Sequence, residues 1–253
     1  MKKNKETLIF QDVGRYIEAD IKREVRKRCG FGCVVCGNPI IQYDHMKEWS
    51  KVHEHKADDI TLLCPNHHME ATAGRMPRGK VLAFNENPYN KNALLSQPHT
   101  LYYYGDQIDF ILGNNTFKGN FQVIPSFSPL VINGRNILAA KKIDDLLLLD
   151  VEIIDEYGNI VLCIKENELI FSLNNWDIQF AGKTLQINEK ASKPRIIISF
   201  SPPNRVVIEK AILYYHGILV DITKAGLTGH NGSSSLVLNN CIIENCFVGL
   251  LLE

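Results

Sequence analysis

Residues 29–74 of this chain read CGFGCVVCGNPIIQYDHMKEWSKVHEHKADDITLLCPNHHMEATAG. The stretch contains four of the seven cysteines and five of the eight histidines in the chain. Clustering of these two residue types indicates metal binding. An odd number of cysteines, together with an N-terminus that lacks the apolar core of a signal peptide, argues against a disulfide framework.

Two pairs of candidate metal ligands frame the stretch. Cys33 and Cys36 have C-x-x-C spacing, and Cys64 and His67 follow with C-x-x-H spacing, 28 residues after Cys36. Two such pairs complete the tetrahedral shell of a structural zinc site, which would supply folding free energy to a short, polar segment. Cys29 competes for a place in the shell. A redox C-x-x-C is the alternative, but it favours a thioredoxin-like βαβ context that the sequence lacks.

The spacing of apolar residues predicts the elements around these pairs. Apolar residues recur at three- and four-residue intervals over residues 9–28, which predicts a helix that stops near Gly30. A short strand is predicted at 40–44, a second at 60–63, and a short helix from about Pro65.

The rest of the chain has a different pattern. Residues 81–100 include an Asn- and Pro-rich run and are predicted to link a domain at 1–80 to a β-rich domain at 101–253. Short apolar strands with hairpin turns predict a mostly antiparallel sandwich or curled sheet there. The last segment, SSLVLNNCIIENCFVGLLLE, resembles a rung of a parallel β-helix, but a terminal hairpin is the favoured interpretation.

The order of motifs in residues 29–74 resembles the HNH (ββα-metal) endonucleases. In their zinc-bearing branch the pattern runs C-x-x-C, then Asp/Glu-His, then Asn-Leu-x-x-Leu-Cys-x-x-Cys-His. The resemblance covers about 45 residues and agrees in order and spacing. It implies an α+β fold in which a ββα-metal module with a preceding helix grips one divalent cation and hydrolyses phosphodiesters, followed by the mostly antiparallel β domain.

The resemblance assigns roles by position. His45 matches the general base, Asp44 the adjacent metal-binding carboxylate, and His68 the second ligand of the catalytic ion. His67 takes the place of the fourth zinc cysteine. Asp59 stands where the family has an asparagine that orients the loop carrying the base, and it can accept but not donate hydrogen bonds. A carboxylate and an imidazole suit Mg²⁺ or Mn²⁺.

Charge distribution points to a polyanionic partner. Residues 1–80 contain 15 Lys and Arg against 11 Asp and Glu, although the whole chain has no formal net charge. The resemblance to the HNH endonucleases makes DNA the expected polyanion, and the candidate nucleic-acid contacts are Arg23, Arg26, Lys27, Lys47, Lys51 and Arg75. Arg78 is a further plausible phosphate contact, whereas His53 and His55 are expected at the surface or the substrate edge.

Three functions remain open from the sequence. The leading hypothesis is a DNA endonuclease, with restriction or phage defence as the setting that the family suggests. The alternatives are a non-catalytic zinc-dependent nucleic-acid-binding protein and an RNA-cleaving toxin of the same superfamily. No apolar run approaches the roughly 20 residues of a membrane span, so a cytoplasmic location is expected. The acidic domain at 101–253 is expected to mediate oligomerisation, to sense a partner or to regulate the nuclease, and an inert monomer of that fragment would contradict this.

Overall fold

The computed structural model describes residues 16–47, 55–232 and 234–253. These residues form three α-helices: α1 (Ala19–Arg28), α2 (Pro65–Thr72) and α3 (Arg78–Glu86). A 3-10 helix spans Ala57–Asp59. Strands make up about 51% of the chain and pair mostly in antiparallel fashion, so the predicted mixed α+β, β-rich class is confirmed. No described helix has the length and apolar character that crossing a bilayer requires.

The first helix ends where the sequence predicts. Residues 19–28 form α1, so the helix begins later than predicted: residues 16–18 are not helical, and residues 9–15 lie outside the described part of the chain. Three cations in the last turn interact favourably with the negative end of the helix dipole. Gly30 then turns the chain with φ +67°, and a Cβ there would lie 2.7 Å from the Cβ of Asn90. Glycine is therefore required at this stop.

A short hairpin and a helix follow the cysteine-rich turn. Strand β1 (Gln42–His45) pairs antiparallel with β2 (Ile60–Leu63), and Asp44 faces Thr61 across the pair. Relative to the prediction, β1 begins two residues later and ends one residue later, and the second strand is confirmed as predicted. Helix α2 begins at Pro65, where proline is tolerated because the first helical N–H has no intrahelical acceptor.

The remaining strands form two sheets. A seven-stranded sheet has the order β19-β6-β7-β8-β9-β10-β3. Its strands are β3 (His99–Thr100), β6 (Ser126–Ile132), β7 (Arg135–Ile143), β8 (Leu146–Ile154), β9 (Ile160–Lys165), β10 (Glu168–Phe171) and β19 (Val248–Leu252).

A ten-stranded sheet contains the rest, with β11 to β17 in sequence order, β4 paired with β14, β5 with β4, and β18 with β5. Its strands are β4 (Gln107–Leu112), β5 (Asn115–Asn120), β11 (Asp177–Ala181), β12 (Thr184–Lys190), β13 (Lys193–Ser201), β14 (Arg205–Tyr215), β15 (Ile218–Thr223), β16 (Gly226–Asn231), β17 (Ser234–Leu238) and β18 (Ile242–Glu244).

One apolar core joins the two sheets. Strand β8 alternates fully buried Leu147 and Leu149 with less buried residues, which is the period expected of a strand with one face on the core. Buried residues of β14, such as Leu213, belong to the same cluster. The second, smaller cluster packs around Val25 and Leu62, under the cysteine-rich turn.

The C-terminal segment corrects one prediction. Strand β18 pairs in parallel with β5, and β19 pairs in parallel with β6, so the expected terminal hairpin is wrong. Asn240 and Asn245 take positive φ values of 54° and 60°, a conformation that asparagine tolerates better than most residues. These two corners, five residues apart, turn the chain between successive strands. The likeness of this segment to a rung of a parallel β-helix agrees with this geometry.

Residues 81–100, predicted as a linker, contain most of α3 and all of β3. Asn90 is buried, and its side-chain amide donates to the carbonyl oxygens of Gly30 and Gly37 at 3.0 and 3.3 Å. The backbone N–H of Tyr89 donates to the carbonyl of Val34 at 2.9 Å. This segment therefore packs against the cysteine-rich turn, and the domain division drawn there stays a prediction.

A buried ion pair connects α1 to the ten-stranded sheet. The Arg26 guanidinium donates to both carboxylate oxygens of Asp177 at 2.8 and 2.6 Å, and the two side chains are only 7% and 3% exposed. Burial alone would lower the pKa of Arg26, but the hydrogen bonds and charges of Asp177 and Tyr43 outweigh it and raise the pKa. Arg26 also donates to the Tyr43 hydroxyl at 2.6 Å, so the pair holds β1 as well.

This pair gives a stability prediction. Asp177→Ala leaves the Arg26 charge buried and unpaired, and we expect it to lower the free energy of unfolding by about 3–5 kcal/mol in urea denaturation. The control is Asp109→Ala, which removes the exposed pair with Arg205 (3.1 Å apart) and should cost less than about 1 kcal/mol. If the two variants lost the same free energy of unfolding, the buried Arg26–Asp177 pair would contribute no more to stability than the exposed pair does.

Candidate metal centre and the adjacent polar site

Four side chains converge on one point beside the hairpin. The ligand atoms of Cys33, Cys36, Cys64 and His67 all lie within 4.8 Å of one another. Nδ1 of His67 is 3.4 Å from Sγ of Cys33 and 3.2 Å from Sγ of Cys64, and Sγ of Cys36 is 3.9 Å from Sγ of Cys64. Within residues 16–47, 55–232 and 234–253 this is the one such group of three or more His, Cys, Asp or Glu.

These separations fit a tetrahedral ion. Zn–S bonds of about 2.3 Å and Zn–N bonds of about 2.0 Å place tetrahedral ligands roughly 3.5–3.8 Å apart. The turn is built for this approach, because the N–H of Gly37 donates to the carbonyl of Cys33 at 2.7 Å and Gly37 has φ +73°. The Cys3His cluster could therefore hold a metal ion such as zinc.

The raised pKa values of the thiols mean that the cluster would hold thiolates only with a cation beside them. Burial, and then the charges of neighbouring cysteines, raise the pKa of Cys36 to about 12. Burial is also the main cause that raises the pKa of Cys33. Three thiols this close cannot all become thiolates without a counter-charge, and a bound metal ion supplies one by replacing the protons.

Cys29 lies outside the cluster. Its Sγ lies 3.9 Å from Oγ1 of Thr61 and 3.7 Å from Oδ1 of Asn85, in the buried space between α1 and α3. Burial raises the pKa of its thiol, as expected of an apolar packing position. Cys29, which the sequence leaves open as a competing ligand, is therefore not part of the Cys3His cluster.

A second polar group lies where β1 approaches α2. Asp44 is buried at 5% exposure, and its Oδ1 lies 3.5 Å from Nε2 of His68. Its Oδ2 accepts a hydrogen bond from Nη1 of Arg78, the first residue of α3. The structure thus brings together two residues that the sequence assigns to the catalytic ion, and adds Arg78 to them.

His45 ends β1 next to Asp44. Its Nε2 lies 3.1 Å from Nδ1 of His55, and the two rings are 5.1 Å apart. Burial, followed by the charge of His55, lowers the pKa of His45, while Asp44 and Asp59 act in the opposite direction. A lowered pKa keeps this imidazole neutral near pH 7, the form that can accept a proton.

Asp59 lies directly before β2, at the same end of the hairpin as His45. Its backbone carbonyl accepts from the N–H of Met46 at 2.8 Å, and its Oδ1 lies 2.6 Å from Nζ of Lys47. Both contacts fix the chain directly after His45. Asp59 therefore contacts the loop that it was predicted to orient, through its backbone carbonyl on Met46 and its carboxylate on Lys47.

The predicted nucleic-acid contacts fall into different environments. Arg26 is buried against Asp177, so its guanidinium is not presented to solvent. Arg23 stacks on the ring of Trp176, 3.7 Å from its centroid. Arg75 makes two hydrogen bonds to the carboxylate of Glu70, at 2.8 and 3.0 Å.

The other candidate cations are more accessible. Lys27 is exposed. Lys47 is also exposed, although it pairs with Asp59 as described above. Lys51 and His53 lie outside the described residues. Of the six predicted cations, the described ones with exposed side chains are thus Lys27, Lys47 and Arg75, and the last two are paired with carboxylates.

Two contacts of the polar site were not predicted from the sequence. The Arg78–Asp44 pair joins residues 34 positions apart, and the His45–His55 pair joins residues 10 apart. The density of histidines hints at the second, but nothing in the spacing of Arg78 indicates the first. Comparison of the chain with protein-family models, with curated proteins and with solved structures finds no match. The geometry of the site is therefore what supports a function.

Proposed function

We propose that this protein is a metal-dependent HNH-type endonuclease that hydrolyses phosphodiester bonds of DNA. The observation that carries the proposal is the 3.5 Å approach of Asp44 Oδ1 to His68 Nε2, directly beside His45 and the Cys3His cluster. In this proposal β1, β2 and α2 are the ββα-metal module. The cluster binds structural zinc and fixes the start of α2, which carries His68.

The Asp44–His68 pair suits a hard divalent cation. Two ligands at adjacent positions of an octahedral ion with bonds of about 2.1 Å lie about 3 Å apart, close to the observed separation. A carboxylate and one imidazole leave the other coordination positions to water and phosphate oxygens. Mg²⁺ or Mn²⁺ bound there would act as a Lewis acid on the scissile phosphate.

His45 is the proposed general base. Its lowered pKa makes the neutral ring the main form at neutral pH, so the ring can take a proton from an attacking water. Once protonated, the ring gains from the charges of Asp44 and Asp59, which favour the imidazolium. Its place at the end of β1 holds the ring next to Asp44, while the alternation of strand side chains gives the two different directions.

A second function is favoured by one specific contact. Arg78 already occupies Oδ2 of Asp44, as expected if the carboxylate served only to fix α3. Asp59 in place of the family's asparagine points the same way. The alternative is a non-catalytic nucleic-acid-binding protein with a structural zinc site, and an RNA-cleaving toxin is the third candidate.

A cleavage assay separates these functions. Supercoiled plasmid DNA incubated with the zinc-loaded protein and Mg²⁺ or Mn²⁺ should become nicked or linear, and Asp44→Ala should leave the plasmid intact. Binding of DNA without cleavage in either metal would favour the non-catalytic alternative. Cleavage of RNA with plasmid left intact would favour the toxin.

A further inference from the structure

Arg78 lies between the buried site and solvent. Its side chain is 40% exposed, whereas that of Asp44 is 6% exposed. Pro77 precedes it with extended backbone, so Arg78 begins α3 with its side chain directed at β1. A guanidinium has five N–H donors in a planar fork. Nη1 contacts Asp44, and the exposed part of the same side chain is accessible to a ligand arriving from solvent.

Arg78 and a divalent ion would repel each other if both were placed on Asp44. A buried carboxylate needs a counter-charge, and Arg78 supplies it in the protein without a divalent ion. Adding a doubly charged ion at Asp44 and His68 would leave one carboxylate facing two cationic groups. An anion between them removes that repulsion, and a guanidinium pairs well with a phosphate.

We propose that Arg78 makes binding of the divalent ion depend on a DNA phosphate. In the free protein Arg78 neutralises Asp44 and disfavours the ion. When a phosphodiester enters, the guanidinium binds it, and the ion and the phosphate then bind cooperatively. This inference rests on the proposed function, since it concerns the same ion at Asp44 and His68.

A purely structural Arg78 makes a different prediction. If the residue only clamped α3 onto β1, its removal would lower stability but would not change how strongly DNA and the ion favour each other. Coupling between two ligands is a binding free energy that a stability effect does not imitate. The test therefore measures ion binding with and without DNA.

The experiment is a Mn²⁺ titration followed by electron paramagnetic resonance. It uses zinc-loaded protein in the His45→Ala background, which prevents cleavage, with and without a short DNA duplex. We expect the duplex to tighten Mn²⁺ binding about tenfold when Arg78 is present. Arg78→Gln should bind Mn²⁺ about tenfold more tightly without DNA, and the duplex should add little.

Three further variants complete the test. Lys80→Gln removes a charge from the same helix, and its Mn²⁺ binding with and without DNA should equal that of the parent protein, which carries His45→Ala alone. Arg78→Lys keeps the charge but loses the fork, so Mn²⁺ binding without DNA should stay weak while the effect of the duplex falls. Asp44→Ala should abolish Mn²⁺ binding. Thermal unfolding of each variant identifies those that fail to fold. If Arg78→Gln is among them, the test is the effect of the duplex on Arg78→Lys, and an effect as large as that on the protein with Arg78 overturns the inference.

The two possible failures are distinguishable. If Arg78→Gln and the parent bind Mn²⁺ equally and respond equally to DNA, while Asp44→Ala binds none, the ion site stands and the inference about Arg78 is overturned. If neither the parent protein nor any variant binds Mn²⁺, or if Asp44→Ala still binds it, the proposed ion site is absent and the inference is lost with it.

Discussion

Replacing His45 with alanine is expected to reduce the rate of plasmid cleavage by about 10²–10⁴-fold, the usual contribution of a positioned general base. The imidazole lies at the end of β1, and its lowered pKa keeps it ready to accept a proton at neutral pH. Removing it takes away the proton acceptor but touches neither the Cys3His cluster nor the Asp44–His68 pair. Zinc content measured by atomic absorption should therefore be unchanged.

The matched control is His216→Ala, which removes an exposed histidine from the turn between β14 and β15. Its cleavage rate should equal that of the parent, measured under single-turnover conditions with Mg²⁺. If His45→Ala cut plasmid as fast as His216→Ala does, the general-base role of His45 would be lost. A lower rate accompanied by loss of zinc would assign the effect to folding.

Replacing Cys33 with alanine is expected to unfold the N-terminal part of the protein. Structural zinc in zinc-finger peptides contributes about 10–16 kcal/mol of apparent binding free energy, comparable to the whole stability of a typical domain. The small apolar cluster around Val25 and Leu62 cannot replace it, because it contains only a dozen buried residues, two of which, Cys33 and Cys64, are ligands of the metal cluster. The measurement is zinc stoichiometry together with proteolysis of the purified variant.

Cys29→Ala is the control for this prediction. Cys29 is as buried as Cys33, but its sulfur contacts Thr61 and Asn85 instead of the cluster. We expect this variant to retain one zinc per chain and to lose only about 0.5–3 kcal/mol of stability, as for an ordinary packing residue. Retention of zinc in Cys33→Ala, with its loss in Cys29→Ala, would place the ion elsewhere and contradict the assignment.

Local spacing determined much of the candidate site. Two ligands three residues apart lie on one turn, so the pairs Cys33–Cys36 and Cys64–His67 can be recognised from the sequence. The strand bounds at Ile60–Leu63 and the helix start at Pro65 follow from apolar runs and from the helix position that proline tolerates. Alternation along segments such as β8 likewise predicts a sheet with one face on a core.

Only the tertiary structure decided how the charged residues are used. The sequence offers Arg23, Arg26 and Arg78 as similar cations, because formal charge says nothing about burial. The fold buries Arg26 against Asp177, 151 residues away, and places Arg78 on Asp44, 34 residues away. It also sends β18 and β19 to β5 and β6 in parallel, a pairing that no local pattern favours over a hairpin. Short-range spacing fixes local geometry, whereas partners distant in sequence are chosen by the packing of the whole chain.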